Sequence, residues 1–578
     1  MNTLKVRFLS VFMLACLLAA AFPTSSARAF GMIYRVSTRL SITKLCGGSW
    51  TRTCGLQQAL KLAAPGDQIW VAVGTYKPTS NTDRTISFTL KNGVEVYGGF
   101  AGNETTLKQR DPLANVTILS GDIGVRGEIT DNSYHVVVTS GASNATTLDG
   151  FTITGGTADG AIPSDYDKGA GVLNLNGSPT FRNLIITENY SENYATNPVI
   201  TFSGSGAGMF SSGNPTIEKV VFSRNQTGDT GRGGGLQSVG NPLITDVTFK
   251  DNWAGAGGGL ASMDVATLTN VTFSGNGAYN GGGMLNESFT YGAAVLTNVT
   301  FNDNVVCHNG AALYSGGDVM LTNVTISGNY ALKHRGGGIY MSYGHMTVNN
   351  TILWGNTALI EGPQVYVDSS ATADIRNSVV EGGCPAGSNC SNIIATDPML
   401  DVLGDHGGST QTIPLGAGSS AIDTGDDASC PATDQRGVPR PQGSHCDIGA
   451  YEAELSVVGP GTYDDTDAHW LYSDFTATTS TGPYLGTFHY SKVVGGYAEF
   501  PFTGSQITLL YSKYSNRGNL EVYVDGVLVD TIDQYNATRI WQASWTSGDL
   551  GTGVHTVRLV HAGPTGTQVD VDAITVLP

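Results

Sequence analysis

A short sequence recurs at intervals of 24 to 36 residues between about residues 148 and 356. Its clearest copies are LTNVTFSGN at 268–276, LTNVTFNDN at 296–304 and LTNVTISGN at 321–329. Each copy is a brief run of β-branched and aromatic residues that ends in Gly or Asn. A unit this short cannot bury its own apolar face, so it must stack on its neighbours. The repeat therefore predicts a solenoid.

The repeating unit is typical of strands rather than helices. Helical repeats need amphipathic stretches of about ten or more residues with a period of 3.6, and these runs are shorter. Each unit also carries a triplet of small residues, such as GGG at 257–259 and 281–283. Small residues let neighbouring backbones approach closely and allow positive φ at a corner. The pattern predicts a parallel β-helix with two or three short strands per turn.

The same residue types recur at equivalent positions of successive repeats. These positions define columns that should stack along the solenoid. The last apolar position of each copy is Ile153, Ile186, Phe222, Phe249, Phe273, Phe301, Ile326 and Leu353. One asparagine column is Asn270, Asn298, Asn323 and Asn350, and a second is Asn189, Asn225, Asn252, Asn276, Asn304, Asn329 and Asn356. Stacked side-chain amides can hydrogen-bond along a column, and Asn tolerates left-handed turns. We interpret both asparagine columns as structural.

The first 29 residues have the three parts of a secretory signal peptide. Lys5 and Arg7 precede an apolar stretch at 8–21, and a small-residue cleavage sequence follows at 27–29. No later stretch of 18 apolar residues occurs, so no transmembrane segment is expected after signal removal. Residues 1–29 contain three basic and no acidic residues, so the net charge of −18 becomes about −21 in the exported form. This acidity argues against nucleic acid or anionic lipid as a partner.

Seven cysteines follow the predicted cleavage position. Three close pairs are expected to form local disulfides in an oxidising compartment, namely Cys46 with Cys54, Cys384 with Cys390, and Cys430 with Cys446. Cys307 is left over, and we expect it to be buried and unpaired.

The composition changes near Tyr463. Beyond it the glycine triplets disappear, aromatic residues become frequent, and alternating strands are legible at 498–502, 506–511 and 520–524. This pattern predicts an antiparallel β-sandwich.

The predicted organisation is a signal peptide at 1–29, a cap with irregular first coils at 30–147, β-helix repeats at 148–368, a terminal cap at 369–455, a linker at 456–462 and the sandwich at 463–578.

Two sets of motifs resemble known families. The segment LQQALKLAAPGDQIWVAVGTYKP at 56–78, with VYGGFAGNET at 96–105, resembles the start of secreted right-handed parallel β-helix proteins of the pectin lyase-like superfamily. The segment at 404–423, with DQRGVPRP at 434–441 and CDIGAYE at 446–452, resembles a choice-of-anchor Q domain. These resemblances imply a right-handed β-helix, export and a surface-attachment region. They leave the chemistry open, because the superfamily contains lyases, glycosidases and adhesins.

Residues 463–578 are similar to jelly-roll carbohydrate-binding modules in their strand pattern. The expected fold class is therefore all-β, with a parallel β-helix followed by a jelly-roll-like sandwich.

The last domain begins with Asp464, Asp465 and Asp467, and Asp572 lies near its end. First and last strands are commonly neighbours in a sandwich, so these acids could meet and hold a structural calcium, as the resemblance also implies. The alternative is an acidic strand start in an acidic protein.

Candidate catalytic residues are few. The resemblance implies either an acid cluster with a basic residue, as in lyases, or aspartates in nearby coils, as in hydrolases. Asp251 and Asp303 should lie two coils apart, about 9.6 Å, near the window of about 6.5–9.5 Å for inverting hydrolysis. Glycine shares their column, which favours a turn role instead. Lys333, His334 and Arg335 form the densest basic spot and could hold a uronate, or they are solvated corner charges.

Aromatic residues supply the candidate ligand sites. Two insertions on adjacent coils, at 157–168 and 190–205, should form one protrusion that carries Tyr166, Tyr190 and Tyr194 beside several acids. Aromatic faces with acids suit sugar binding, although surface decoration is the alternative. Trp541 and Trp545 are four residues apart, so on a strand they share a face and form either a sugar platform or part of the core.

Three hypotheses for function remain. The leading one is an exported, surface-associated protein that binds a polysaccharide or cell-surface glycan, or mediates adhesion, without catalysis. The second is a polysaccharide lyase or glycoside hydrolase, and the third is a structural spacer of the cell envelope. An acid cluster beside a basic residue in one groove would favour the enzyme.

Overall fold

The computed structural model describes residues 31–39, 46–160, 165–192, 204–288, 292–454 and 457–578. The predicted signal peptide at 1–29 and Tyr194 lie outside these ranges. The chain divides into two compact units: unit 1 comprises residues 1–413 with 435–437, and unit 2 comprises 414–434 with 438–578. Among the described residues, no helix has both the length and the apolar character needed to span a membrane.

Within the described ranges unit 1 contains one α-helix, α1 (Leu56–Leu62), and short 3₁₀ turns lie at Leu107–Gln109 and Asp165–Asp167. The strands that precede the second insertion are β1 (Ile33–Val36), β2 (Gln68–Ala72), β3 (Gly74–Tyr76), β4 (Phe88–Thr89), β5 (Glu95–Phe100), β6 (Thr117–Ser120), β7 (Val137–Ser140), β8 (Thr147–Asp149), β9 (Thr152–Thr154), β10 (Thr157–Ala158), β11 (Val172–Leu175), β12 (Thr180–Thr187) and β13 (Tyr190–Ser191). Those of the regular coils are β14 (Met209–Ser212), β15 (Thr216–Ser223), β16 (Gln226–Thr227), β17 (Leu236–Val239), β18 (Leu243–Thr245), β19 (Thr248–Lys250), β20 (Trp253–Ala256), β21 (Leu260–Ser262), β22 (Thr267–Ser274), β23 (Gly277–Asn280), β24 (Met284–Asn286), β25 (Ala294–Asn302), β26 (Val305–Val306), β27 (Leu313–Ser315), β28 (Val319–Thr322), β29 (Thr325–Ser327), β30 (Tyr330–Ala331), β31 (Ile339–Met341), β32 (Gly344–Asn349), β33 (Ile352–Trp354), β34 (Thr357–Ala358), β35 (Val365–Val367), β36 (Ala371–Val380) and β37 (Ser388–Ile394).

These strands form three parallel sheets that run along a β-helix. The long sheet contains β1–β3, β5, β6, β8, β9, β12, β15, β18, β19, β22, β25, β28, β29, β32, β33, β36 and β37. The second sheet contains β4, β7, β11, β14, β17, β21, β24, β27, β31 and β35, and the third contains β10, β13, β16, β20, β23, β26, β30 and β34. The parallel stacking continues beyond residue 368 into β36 and β37.

The predicted apolar column is confirmed by the strand register. Successive landmark residues are direct partners along the long sheet, for example Phe249 with Phe273 and Phe273 with Phe301. The phenylalanine rings stack face to face, with centroids 4.6 to 4.9 Å apart from Phe222 to Phe301. All four side chains are fully buried, and the stack forms the centre of the unit 1 core.

The small-residue triplets make room for this stack. A Cβ at Gly259 would lie 2.6 Å from the carbonyl oxygen of Gly283 and 2.9 Å from the ring of Phe273. The third residue of the triplet must therefore be small, because the corner backbone passes directly against the buried aromatic column.

Both asparagine columns have structural roles. Asn270 and Asn298 adopt the left-handed conformation, with φ of 57° and 53°. In the second column, Asn276 Nδ2 donates to Asn304 Oδ1 at 2.9 Å and to the carbonyl of Phe249 at 2.9 Å, while its own Oδ1 accepts from Asn252. The ladder thus satisfies its own buried amide groups and also donates to buried backbone carbonyls of the preceding coil.

Replacing Asn276 with Ala should lower the free energy of unfolding of unit 1 by about 3 kcal/mol. The change leaves amide groups of Asn252 and Asn304 without hydrogen-bond partners in the buried core. Each unsatisfied polar group there costs about 1–3 kcal/mol. Urea-induced unfolding measures the loss. Asn302→Ala is the matched control, because Asn302 lies half-exposed on the next coil, where its side-chain amide donates to the Ser327 carbonyl. Equal losses in the two variants would contradict the assignment.

Unit 2 contains antiparallel sheets around one core. Its strands are β38 (Gly461–Asp464), β39 (Leu471–Ser473), β40 (Phe475–Thr479), β41 (Thr487–Ser491), β42 (Tyr497–Gly504), β43 (Gln506–Lys513), β44 (Asn519–Val524), β45 (Val527–Asp533), β46 (Ile540–Thr546), β47 (Gly553–His561), β48 (Val569–Val571) and β49 (Ala573–Leu577), with a 3₁₀ turn at Tyr484–Gly486. The sheet orders are β38-β49-β43-β46, β39-β42-β47-β44-β45 and β40-β41-β48. Alternate residues such as Phe500, Phe502, Val557 and Leu559 fill the core.

The predicted fold class is confirmed: the protein is almost entirely β, with long parallel sheets in a β-helix and antiparallel sheets in the C-terminal region. The three predicted disulfides are also present, joining Cys46 to Cys54, Cys384 to Cys390, and Cys430 to Cys446. Among the described cysteines Cys307 is free as expected, but it is partly exposed rather than buried.

Candidate functional site

Strand pairing at the edge of unit 2 brings acidic residues from both ends of the domain together. β38 runs antiparallel to β49, with Asp464 opposite Ala573, and the backbone N–H of Asp465 donates to the carbonyl of Asp572 at 2.9 Å. One carboxylate oxygen from each of Asp464, Asp465 and Asp572 lies within 4.8 Å of the others. We call these three residues the acidic edge.

Two carboxylate oxygens of the acidic edge lack hydrogen-bond donors. Asp464 Oδ1 and Asp572 Oδ2 are buried and accept no hydrogen bond from any described residue. Burial raises the pKa of Asp572 to about 7, and the neighbouring carboxylates add to this shift against the opposing hydrogen bond from the Tyr484 backbone. Two buried oxygens without a donor, converging with a third carboxylate from Asp465, suit a hard divalent cation such as calcium. The residues present therefore fit a calcium ion.

Two neighbours hold these carboxylates in place. Asp465 Oδ1 accepts from the hydroxyl of Thr487 at 2.6 Å, and its Oδ2 lies 2.7 Å from Nδ1 of His489. The His489 ring stacks on Tyr472 with centroids 4.0 Å apart. The fourth predicted ligand, Asp467, is directed elsewhere, because its Oδ1 lies 2.6 Å from Nδ1 of His469.

A second site is an open cleft of about 720 Å³ within unit 2. One wall is the outer face of the sheet formed by β42, β47 and β44. Glu499 and Arg558 are register partners there, and Arg558 is in turn opposite Tyr523. Carboxylate, guanidinium and phenol thus stand in one row across three strands. The remaining lining residues are Gln442, Gly443, Ser444, His445, Asp525, Gly526, Val554, His555, Thr556 and Val560.

Charged groups in this cleft are held by neighbours rather than free. Arg558 Nη1 donates to Glu499 at 3.1 Å, and its guanidinium lies 3.8 Å from the centroid of the Tyr497 ring. Burial raises the pKa of Glu499, although Arg558 and a hydrogen bond from Ser444 oppose the shift. The arrangement fixes planar donors and acceptors beside an aromatic ring, which suits a ligand that carries both apolar faces and hydroxyl groups.

The predicted tryptophans lie on the less exposed face of β46, which they share with Ala543. Trp541 packs edge-on against Phe488 at 5.5 Å and lies 4.7 Å below the guanidinium of Arg539. Trp545 packs on the core and donates from Nε1 to Asp530 at 2.7 Å. These contacts favour the core-filling alternative over an open sugar platform.

The two predicted insertions start on paired strands, β10 and β13. Tyr166 stacks on Tyr134, with ring centroids 4.6 Å apart, and Asp159 pairs with Arg84. Tyr190 donates from its hydroxyl to Glu192. The described parts of the insertions therefore pack back on the β-helix.

The predicted catalytic candidates occupy corners. Asp251 and Asp303 are exposed and left-handed, with φ of 54° and 53°, in the same column as the left-handed Gly275 and Gly328. This geometry favours the turn role. Lys333 and His334 are exposed, whereas Arg335 pairs with Glu361 at 2.9 Å and lies 4.8 Å from the centroid of the Tyr366 ring.

The cleft of unit 2 is the site that sequence reasoning missed. The alternation along β42 shows that Tyr497 and Glu499 share the outer face, while Ala498 and Phe500 are fully buried. That signal is present in the sequence. Nothing in the sequence gives the register that sets Glu499 opposite Arg558, which lies 59 residues further along the chain.

No family model matches the chain. Among curated proteins, a segment of 102 residues is 34% identical to an A type blood N-acetyl-alpha-D-galactosamine deacetylase of Flavonifractor plautii, and it covers 18% of this chain but only 13% of that relative. Among solved structures, a pectate lyase, Pel9A, superposes on 74% of this chain and 98% of its own, with a TM-score of 0.43 and 14% identity. A β-1,3-glucan-binding CBM6 from Bacillus halodurans covers 21% of this chain and 100% of its own, with a TM-score of 0.18 and 16% identity.

Proposed function

We propose that this protein is exported and binds glycans through the cleft of unit 2 without catalysing their cleavage. The observation that carries the proposal is the row of Glu499, Arg558 and Tyr523 across three strands of one open face. Sugars present C–H faces that pack on aromatic rings and hydroxyl groups that need paired donors and acceptors. The row offers a ring, a guanidinium and a carboxylate within one cleft.

The β-helix supports a binding role over cleavage along its long sheet. The carbonyl of Gln411 accepts from Thr272 at 2.6 Å, and Gln435 accepts from Thr300 at 2.7 Å. Thr272 and Thr300 point outward from the long sheet, yet both are fully buried. The chain itself covers this face in the middle of unit 1, so a polysaccharide could not run along it without interruption.

Further features support export, a glycan ligand and a structural calcium. Three disulfides suit an oxidising compartment and thus export. The curated relative is described as acting on N-acetyl-alpha-D-galactosamine of blood group A, which supports a glycan as the ligand class. Calcium at the acidic edge would hold the first and last strands of unit 2 together. Association with the cell surface through residues 369–455 completes the proposal.

A glycan array tests the proposal on one purified sample of the full chain, with and without calcium. The same sample is assayed for new reducing ends and for the ultraviolet absorbance of unsaturated sugar products. Retention of a glycan without either product is the expected result. Unsaturated products would assign lyase chemistry and new reducing ends hydrolysis, and either would overturn the non-catalytic role. If no glycan is retained and neither product forms, the result would favour the structural spacer of the cell envelope.

A further inference from the structure

A small polar cavity lies on the outside of unit 1, at the corner beside the second sheet. Its volume is about 250 Å³, and its lining includes Asp229, Arg232, Asn280, Glu287 and Tyr314. Sites for drug-sized ligands span about 300–1,000 Å³. This cavity is smaller, so it suits a single ring rather than a chain of rings.

The cavity exists because one coil carries small residues at the corner. Arg232, Ala256 and Asn280 are consecutive in one column of the stack. The short side chain of Ala256 leaves a gap between its two longer neighbours. Gly255 lets the neighbouring backbone approach closely, since a Cβ there would lie 2.2 Å from the carbonyl oxygen of Asp229.

One wall of the cavity is the end of an aromatic stack. Tyr314, Tyr340 and Tyr366 are register partners on the outer face of the second sheet, with successive ring centroids 5.2 Å apart. On the preceding coil this column holds Leu285, which also lines the cavity. Tyr314 is therefore the first ring of the stack, and the cavity lies at that end. An aromatic face there can pack against the C–H face of a sugar.

The polar wall has a defined charge. Arg232 donates to Glu287 in a half-buried ion pair, which leaves the carboxylate of Asp229 as the excess charge. Asp229 is exposed and also raises the pKa of the Tyr279 hydroxyl through its charge, so the two groups lie close together. Two carboxylates and one guanidinium make the cavity net negative. A ligand with its own carboxylate would be repelled.

We propose that this cavity is a second saccharide site, which takes one hexose unit that is uncharged or carries an amino group, and not a uronate. The C–H face of the sugar packs on Tyr314, and its hydroxyl or amino groups bond to Asp229, Glu287 and Asn280. The site is separate from the cleft of unit 2, and its existence does not depend on that cleft.

Saturation-transfer NMR on the intact protein tests the site in a Tyr523→Ala background, which removes the aromatic ring of the unit 2 cleft. The probes are methyl galactoside, methyl galactosaminide and galacturonate. Ala256→Gln fills the gap with a side chain of a length that the column already accommodates, so it should abolish transfer to the first two probes without unfolding. Asp229→Asn should weaken transfer to methyl galactosaminide. Asp303→Asn is the matched control, because Asn tolerates that exposed left-handed corner.

Unchanged transfer to both neutral and amino sugars in Ala256→Gln would overturn the site. Transfer to galacturonate that disappears in Ala256→Gln would overturn the charge argument. Failure of the unit 2 cleft is a different result, because it appears as equal glycan retention by the unsubstituted protein and by Tyr523→Ala alone. Thermal melting of each variant confirms that loss of binding is not loss of fold.

Discussion

Calcium should raise the melting temperature of unit 2 by about 5–10 °C at neutral pH, and a chelator should reverse the gain. A cation at the acidic edge would satisfy the buried oxygens of Asp464 and Asp572 and neutralise their mutual repulsion. A ligand at about 100 times its Kd stabilises by about 2.7 kcal/mol, which corresponds to several degrees for a domain of this size. Calorimetry with the full chain separates the transitions of the two units.

Substitutions at the acidic edge make this expectation specific. Asp572→Asn should abolish the calcium response and, without calcium, should stabilise unit 2 because it removes a buried charge. Asp467→Asn is the matched control, since Asp467 contacts His469 and should leave the response intact. If both variants respond to calcium as the unsubstituted protein does, the ion does not bind at the acidic edge.

The pH dependence has a definite sign. The pKa of Asp572 is about 7 in the folded protein, against an ordinary value of 3.8, so the folded state binds more protons between these values. Without calcium, the free energy of unfolding of unit 2 should therefore fall as pH rises from about 4 to 7. With calcium bound, the fall should be much smaller. Chemical unfolding at several pH values measures both slopes.

The sequence predicts the β-helix in detail because the repeat period of a solenoid determines which residues are in contact. Phe249, Phe273 and Phe301 occupy equivalent positions of successive copies, and equivalent positions become direct neighbours in parallel register. The same logic finds the buried asparagine ladder. In unit 2 no such repeat exists. Periodicity assigns Glu499 to an outer face, but its antiparallel partner Arg558 depends on a register that local sequence does not encode.

The acidic edge shows the same limit on a smaller scale. The rule that first and last strands pair in a sandwich brings Asp464, Asp465 and Asp572 together. It also suggests Asp467, two residues further on. After Asp465, however, the backbone turns, and the N–H of Asp467 donates to the carbonyl of Asp464 at 3.0 Å. That turn directs Asp467 to His469, and side-chain alternation beyond a strand end no longer holds.

Tyr523→Ala should weaken glycan retention by the unit 2 cleft about 30-fold, or about 2 kcal/mol. Aromatic residues at the centre of a binding surface lose this much on truncation, because the ligand loses packing and the site gains water. Arg558→Lys should also weaken retention, since an ammonium cannot keep the planar contacts that the guanidinium makes with Glu499 and Tyr497. Isothermal titration with the best glycan from the array measures both losses.

Tyr535→Ala is the matched control, because Tyr535 is 55% exposed in the same unit and does not line the cleft. It should bind as the unsubstituted protein does. Tyr523 points outward from its strand, so its loss should leave the melting temperature of unit 2 nearly unchanged, whereas a core tyrosine would not. Equal binding by the Tyr523 and Tyr535 variants would place the glycan outside the row of Glu499, Arg558 and Tyr523. Loss of binding with intact stability in Tyr523→Ala alone would place the sugar at the row of Glu499, Arg558 and Tyr523.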